Sequence, residues 1–539
     1  MPEAPTGREV LRHARIISLC TLLSRVLGLA REILAAGLFG AGVAWDAFAF
    51  AFQIPNLFRR IFGEGALSAA FIPVFTEHLN AGPPERAHRF MSTVLTLLTL
   101  VTTGLMLLGM GAALVVPALF GESSGDPDKV SLTCRLTLYL MPYLPLICVV
   151  ALLSAILNCF KHFAMPALAS VMLNVCWIGG FGVALAAGFT PEQQVMAVVW
   201  AILIGGLVEL VMQLPPLRAR GVRFTPNFEI RQPGVIELGR LMGPTVFGLA
   251  VIQINLLVDN VIAEIFVPGD GAVATLYFGN RLMQFPLALI GIAMAQAVFP
   301  YLSEAAAQKD MKSLGSQLAR ALRVCLYLAL PATVGLMVLA GPTVQLLFQW
   351  KNFDAVAAER CARVVSAYAV GIWAYCCLHV VTRAYHAMKD TRTPVKVGAA
   401  MVGLNLALNL VLVHPMAEAG LATATSVSAI VNLWILTRGF RRKADVPPLE
   451  GVVRTGLTAA GASAAMALAC WGTLALMPGE PMAAWLGTLG GRLTRLLVPM
   501  AVGGAVFLGI TLALGMPEAH EVMRALWRRR RAREGAAGE

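Results

Sequence analysis

Four arginines lie in apolar stretches of this sequence, where a charge is costly. Arg25 and Arg31 interrupt the stretch 16–41. Arg59 lies near the end of the next stretch, and Arg281 lies inside the eighth. On insertion scales an arginine at mid-bilayer depth costs about 2.5–3.5 kcal/mol, so four cost roughly 10–14 kcal/mol. Such residues are kept where they face water, a counter-charge or an anionic ligand, so the pattern predicts a transporter with negatively charged cargo.

Three acidic residues near these arginines are the expected counter-charges or gating groups: Glu32, Asp46 and Glu64. Arg25 and Glu32 are seven positions apart and therefore share a helix face. Structural ion pairing alone is one explanation of the arginines. Because the four arginines outnumber the three acids, a bound anion is the favoured one. The planar guanidinium fork suits phosphate or pyrophosphate oxygens in particular.

The elements that must position these residues are membrane helices. The chain has 539 residues, 58% of them hydrophobic and only 13% charged, about half the charged share of soluble domains. Many apolar runs are long enough to span a bilayer as helices. We therefore predict an all-α polytopic membrane protein with about fourteen spans: 15–41, 46–77, 90–118, 133–157, 164–188, 193–214, 238–266, 272–302, 319–347, 361–387, 394–413, 418–438, 453–476 and 486–514.

The distribution of basic residues predicts the orientation of the chain. The net charge of +12 could suggest nucleic acid, but Lys and Arg cluster in loops after even-numbered spans and in the tail at 528–531. That asymmetry is typical of cytoplasmic loops and of contact with anionic lipid. Both termini are expected in the cytoplasm, with no nucleic-acid partner. Lys129 and Lys351 are the exceptions, since they lie in loops otherwise nearly free of basic residues.

An internal repeat divides the chain. Pro73 and Glu77 match Pro300 and Glu304, and other matched pairs repeat at offsets of 227–231 residues. The period covers six spans, so the two copies share one orientation and a site is expected between them. The predicted domains are a six-helix lobe (1–230), a second six-helix lobe (231–445) and two additional helices with a basic tail (446–539). Glycines on both sides of Glu64 predict a break or hinge in the second span.

A second polar group suggests a cation site. One carboxylate with amide and hydroxyl oxygens could hold Na⁺, while hydrogen bonding between helices is the simpler explanation and the favoured one. The residues are Asp259, Asn405, Asn409 and Thr425. Signatures of nucleotide or metal hydrolysis are missing from the sequence, so an enzyme is not expected and transport would use the membrane potential or an ion gradient.

Several blocks of the sequence match a pattern that is shared by one family of proteins. Residues 24–32 read Ser-Arg-Val-Leu-Gly-Leu-Ala-Arg-Glu, followed by Phe-Gly-Ala-Gly at 39–42 and Asp-Ala-Phe at 46–48. The block 54–66 continues the match, and further matches lie at 280–286 and 389–396. In these blocks the sequence resembles the MurJ (MviN) family of lipid II flippases, in the MOP superfamily, and the resemblance covers nearly the whole chain.

The resemblance implies two six-helix lobes in a V shape with two further helices that form a groove for the lipid tail. It implies export of lipid II across the inner membrane by alternating access, with membrane lipids and the cell-wall synthesis machinery as further partners. Family arginines implicated in binding the pyrophosphate and head group match Arg25, Arg31, Arg59 and Arg281. Some members bind Na⁺ through positions similar to Asp259, Asn405, Asn409, the Leu421 carbonyl and Thr425.

The sequence departs from the family pattern at a few of these positions. Glu32 stands where Asp is usual, and Gln53 where many relatives carry Lys. Amides at Asn280 and Gln284 flank Arg281 where acids are common, and Asn409 replaces an acid of the sodium site.

Other hypotheses are a flippase for another polyprenyl-linked glycan, a drug exporter of the same superfamily, a polyprenyl-phosphate transferase and a non-transporting scaffold.

Overall fold

The computed structural model describes residues 7–81, 83–120, 126–444, 451–477 and 489–524, and every regular element in these ranges is helical. The chain packs into two compact units, Met1–Asn260 with Lys351–Phe353 and Val261–Trp350 with Asp354–Glu539. The boundary falls inside one long helix. The three-part division at 230 and 445 stays a prediction.

The first unit holds the helices α1 to α8 and most of α9. Their bounds are α1 Gly7–Phe39, α2 Val43–Phe58, α3 Ala66–Ala81, α4 Pro84–Phe120, α5 Pro127–Leu140, α6 Tyr143–Cys159, α7 Ala164–Ala186, α8 Pro191–Arg218 and α9 Pro233–Phe266. Within this unit α7 packs along both α8 and α1, and α2 packs on α5. These contacts bring together the residues described below.

The second unit holds the remaining helices. Their bounds are α10 Ala272–Pro286, α11 Ala293–Ala307, α12 Met311–Val338, α13 Ala340–Leu347, α14 Ala355–Ala369, α15 Ile372–Ala387, α16 Arg392–Met416, α17 Glu418–Ala444, α18 Val452–Leu476 and α19 Leu489–Ala513. Helices α18 and α19 pack on each other, and α18 packs on α12. A short helical stretch follows at 517–524.

Eleven helical segments of the described chain are long and apolar enough to cross a membrane. A twelfth counts if α14 and α15, which are bent by 40° at a short break, form one span. The prediction of a multi-pass all-α membrane protein is therefore confirmed, whereas the number of fourteen is not. Helix α1 and the segment from α2 to α3 are not among the eleven. Both carry charged residues of the predicted site, including Arg31 and Arg59.

The second predicted span and its repeat partner share a local irregularity. A π-helical stretch, Arg59–Gly65, joins α2 to α3, and another, Leu287–Ile292, joins α10 to α11. The separation in sequence between the starts of these two stretches lies within the range of offsets, 227–231 residues, of the sequence repeat. The predicted interruption around Glu64 is thus a widened helical turn rather than a loop. Such π-helical turns are frequent at functional sites.

A cluster of aromatic rings fixes α1, α2 and α7 against one another. Trp45 stacks on Phe39 and on Phe48, with ring centroids 5.0 and 4.7 Å apart. Trp177 of α7 meets the edges of Phe48 and Phe52, at 5.9 and 5.2 Å. Spacings of three and four residues place the α2 rings on one helix face. Packing of this kind holds Trp177 in the position that the site requires.

In the second unit, close approach of α19 to α18 depends on a glycine. Tyr327, Met466 and Phe507 belong to one buried cluster that joins α12, α18 and α19. A Cβ atom added at Gly503 would collide with the Cys470 sulfur. Small residues at such contacts allow membrane helices to approach each other closely, which strengthens their packing.

Candidate functional site

Arg31 is held on the buried side of α1 by three neighbours. Its Nη2 donates to Glu32 Oε1 at 2.6 Å and its Nη1 donates to Asn174 Oδ1 at 3.1 Å. The guanidinium carbon lies 4.2 Å from the centre of the Trp177 ring. The Arg31 side chain is only 15% exposed. An ion pair, an amide and an aromatic face therefore fix the plane of this guanidinium. We call Arg31, Glu32, Asn174 and Trp177 the Arg31 cluster.

The contacts between α1 and α7 continue toward the N-terminus of α1. Asn174 Nδ2 donates to the Ser24 hydroxyl at 3.3 Å and to the Ser170 carbonyl at 3.0 Å. Asn174 is thus an acceptor for Arg31 and a donor to Ser24. This amide connects the first matched block of the sequence to α7.

The other two arginines of the predicted site in the first unit, Arg25 and Arg59, have different surroundings. Arg25 is exposed, and its side chain makes no recorded ion pair or hydrogen bond in the described part of the chain. Arg59 lies at the start of the π-helical stretch and donates from Nε to Asn56 Oδ1 at 2.9 Å. Glu32, which the sequence placed on the same helix face as Arg25, pairs with Arg31. The side chain of Glu64 lies outside the described residues.

Asp46 pairs with a lysine that the sequence analysis did not assign to the site. Lys129 Nζ lies 3.0 Å from Asp46 Oδ2, and the two side chains are 8% and 0% exposed. Asp126 caps the first turn of α5 by accepting from the Lys129 amide at 3.1 Å. A buried ion pair of this kind joins α2 to the start of α5.

Arg281 lies in the second unit, on α10. Its Nη2 donates to the Tyr277 hydroxyl at 3.3 Å, and its guanidinium carbon lies 4.9 Å from the centre of the same ring. The flanking amides bond to each other, with Gln284 Nε2 donating to Asn280 Oδ1 at 2.5 Å. Tyr277, one helical turn away, is thus a hydrogen-bond partner and a ring contact of the Arg281 guanidinium.

Three members of the predicted cation site come together in the second unit, and we call them the polar cluster. Asn409 donates to Asn405 Oδ1 at 3.1 Å, and Asn405 donates to the Thr425 hydroxyl at 3.4 Å. Thr425 in turn donates to the Leu421 carbonyl at 3.0 Å. These hydrogen bonds link the three side chains of the polar cluster between α16 and α17. The described residues contain no group of three or more His, Cys, Asp or Glu side chains placed to hold a metal.

Asp259, the fourth member of that predicted site, belongs to the first unit. Its carboxylate is buried and accepts from Asn255 Nδ2 at 3.5 Å, one helical turn away on α9. Sodium binding by these residues stays a prediction.

The matched block 389–396 covers the turn between α15 and α16 and the start of α16. Asp390 accepts from the Thr393 amide and hydroxyl at 3.0 and 2.7 Å and from Lys443 Nζ at 2.5 Å. Burial alone would raise the pKa of Asp390, but the hydrogen bonds from Lys443 and Thr393 outweigh it and lower the pKa to about 2. The block therefore ties this turn to the end of α17.

Sequence reasoning missed Lys129 and Trp177. Lys129 gave one signal, because it is a basic residue in a loop of the kind that otherwise lacks them. Trp177 gave none, because an aromatic residue inside an apolar span is most often a packing residue.

Solved structures with a similar arrangement of helices include transporters described as members of the MOP superfamily. The chain is similar to "Lipid II flippase MurJ, inward closed conformation", with a TM-score of 0.76 and 23% identity, covering 92% of this chain and 98% of that one. It is also similar to an inward-facing multidrug resistance MATE transporter, with a TM-score of 0.67 and 16% identity, covering 78% and 94%. At these identities the likeness establishes the fold.

Sequence comparison establishes the family. The family described as "Lipid II flippase MurJ" matches residues 35–486. A probable lipid II flippase MurJ of Vibrio cholerae is 34% identical over 96% of this chain and 98% of its own length. The lipid II flippase MurJ of Burkholderia cenocepacia is 33% identical over 85% of this chain and 89% of its own. The chain belongs to the MurJ family of lipid II flippases.

Proposed function

We propose that this protein is a flippase that moves lipid II from the cytoplasmic to the outer leaflet of the bacterial inner membrane. The observation that carries the proposal is the family match over residues 35–486. Relatives of nearly the same length are named lipid II flippases. A protein of this family is a transporter and not an enzyme, so its binding residues must recognise cargo without changing it.

The Arg31 cluster supports recognition of the pyrophosphate. Trp177 and Asn174 hold the guanidinium in one plane, so little side-chain entropy is lost when an anion binds. The Arg31 Nε–H group is buried and makes no hydrogen bond among the described residues. A buried donor without an acceptor is costly, and a phosphate oxygen is a strong acceptor for it. In this proposal Glu32 neutralises Arg31 while cargo is absent.

Three other arginines complete the proposed set of cationic contacts. Arg25 is exposed and Arg59 belongs to a π-helical stretch, so both guanidinium groups are candidates for transient contacts with the head group. Arg281 lies against the Tyr277 ring and hydroxyl, and we assign its guanidinium to contact with the same anion. Asp46 and Glu64 are the remaining proposed counter-charges or gating groups.

Transport by alternating access is part of the proposal, and so is the orientation with both termini in the cytoplasm. The uneven distribution of basic loops supports that orientation. Membrane potential or an ion gradient would drive the cycle, because the sequence carries no phosphate-binding loop for a nucleotide. Lipid II, surrounding membrane lipids and the cell-wall synthesis machinery are the proposed partners, and no cofactor is required.

The same fold also occurs in drug exporters, so cargo decides between functions. A MATE-like exporter of cationic drugs would need acidic residues in its binding site. The Arg31 cluster instead presents a guanidinium with one carboxylate. A flippase for another polyprenyl-linked glycan would share the pyrophosphate contacts and differ in the sugar contacts.

Complementation of a strain depleted of its own lipid II flippase tests the proposal. We expect rescue by this protein and loss of rescue by Arg31→Ala, with Arg31→Lys intermediate because lysine keeps the charge without the fork. Arg135→Ala is the matched control, since Arg135 forms an exposed ion pair elsewhere in the first unit. Absence of rescue by the intact protein, when it is present in the membrane, would contradict the flippase proposal. Rescue by alanine variants of all four arginines would contradict the cationic mechanism.

A further inference from the structure

A groove between α7 and α8 in the first unit has no role in the function proposed above. Its volume is about 580 Å³, and its lining includes Gly179 and Val183 of α7 and Ala197 and Trp200 of α8. Both helices are long and apolar enough to span the membrane. Val183 and Trp200 are more than half exposed, so the groove opens sideways on the membrane-facing surface of this unit. Water gains little in an apolar space of this kind, and hydrocarbon fills it favourably.

Polar groups lie at one end of the groove. Gln193, in the first turn of α8, lines the groove, and its neighbour Glu192 forms an ion pair with Arg135 of α5 at 2.8 Å. These two side chains are 62% and 49% exposed, so both remain accessible to a ligand. Below them Tyr139 packs against Trp200, with ring centroids 6.0 Å apart. Aromatic rings at this level are typical of the membrane–water interface.

From these two features we infer that the α7–α8 groove binds one acyl chain of a zwitterionic phospholipid. Its head group would lie on the Arg135–Glu192 pair. The lipid phosphate is complementary to the arginine, and a primary ammonium is complementary to the glutamate. A phospholipid with phosphate and amine, such as phosphatidylethanolamine, matches both charges, whereas an anionic phospholipid without an amine would face Glu192 with no partner. This inference does not rest on the proposed function.

Two glycines on α7 provide a matched test of whether the acyl chain binds in the groove. A Cβ atom at Gly179 or at Gly182 meets no heavy atom within 4 Å, so the first atom of a side chain has open space at both positions. Only Gly179 lines the groove. Gly179→Leu should therefore fill the groove, and Gly182→Leu should add the same side chain outside it.

The experiment uses the purified full-length protein in detergent and counts bound phosphatidylethanolamine by native mass spectrometry as lipid is added. We expect about tenfold weaker binding of one lipid in Gly179→Leu, since losing burial of only two methylenes has about that effect. Gly182→Leu should bind as the original protein does. Exchange of phosphatidylethanolamine for phosphatidylglycerol should weaken binding in the original protein and not in the double variant Arg135→Ala/Glu192→Ala.

Three results would overturn the inference. Equal lipid binding by Gly179→Leu and Gly182→Leu would exclude the groove as the chain site. Equal binding of the two phospholipids by the original protein would exclude recognition of the amine. Loss of lipid II binding in Gly179→Leu would assign the groove to the prenyl chain of the cargo instead. Rescue of a flippase-depleted strain by Gly179→Leu is expected to be normal, which separates this inference from the proposed function.

Discussion

Replacing Lys129 with methionine removes the positive charge that pairs with the buried Asp46 carboxylate. The Asp46 side chain is fully buried and lies 3.0 Å from the lysine Nζ atom. Methionine keeps most of the apolar volume of the lysine stem, so the change removes the charge while the packing is largely retained. Helix α5 would then begin beside a buried carboxylate on α2 that has lost its lysine partner.

The expected cost follows from the burial of both partners. Removing one partner of a buried ion pair destabilises a protein by about 3–5 kcal/mol, whereas an exposed pair contributes about 0–1 kcal/mol. Arg135→Met is the control on the same helix, because the Arg135–Glu192 pair is about half exposed. The double variant Lys129→Met/Asp46→Leu removes both charges and should recover most of the loss.

Thermal unfolding of the detergent-solubilised protein measures these differences. At roughly 2–4 °C per kcal/mol for units of 150–250 residues, the midpoint should fall by about 6 °C or more for Lys129→Met. The midpoint for Arg135→Met should change by no more than about 2–4 °C. Equal midpoints for the two single variants, or a double variant no more stable than Lys129→Met, would refute the buried pair as a stabilising contact.

Three further predictions concern the second unit. Because the pKa of Asp390 is lowered from 3.8 to about 2, the carboxylate stabilises the fold above about pH 4 and this contribution is lost as the pH falls toward 2. The stability difference between the original protein and Asp390→Asn, measured by chemical unfolding, should therefore shrink over that range; a constant difference would be inconsistent with the lowered pKa. Gly503→Ala should lower the unfolding midpoint, because overpacking costs about 1–3 kcal/mol. Gly504→Ala should not lower it, because the added Cβ has open space there. Equal midpoints for the two variants would contradict the close approach of α18 and α19. Replacing Na⁺ by a larger inert cation should leave transport unchanged because the polar cluster is already hydrogen-bonded, and a loss of transport would support the sodium site instead.

The sequence predicted the class of fold because hydrophobic length and charge placement are local properties. It also predicted the position of the irregular second span, since two glycines beside Glu64 weaken an α-helix. The corresponding irregularity near Leu287 was not predicted. Hydropathy alone did not establish the number of spans, because α1 and the α2–α3 segment carry the charges of the site.

The partners of the charged residues could not be predicted from spacing. Helical geometry predicted that Glu32 lies on the same face as Arg25. The flexible Arg31 side chain nevertheless pairs with Glu32, the next residue in the sequence. Asp46 and Lys129 are 83 residues apart, and only the packing of α2 on α5 brings them together. Trp177 contacts Arg31 because the aromatic cluster fixes α7 against α1. Long-range packing of this kind leaves no periodic signal in the sequence.

Exposure of lipid II on the outer face of the membrane tests the central claim most directly. Cells depleted of their own flippase and supplied with this protein are treated from outside with an impermeant enzyme that cleaves lipid II, and the cleaved fraction is measured. Cleavage should be restored by the original protein and by Arg135→Ala, and it should be lost in Arg31→Ala. Lipid II that stays protected while the original protein is present in the membrane would contradict the account.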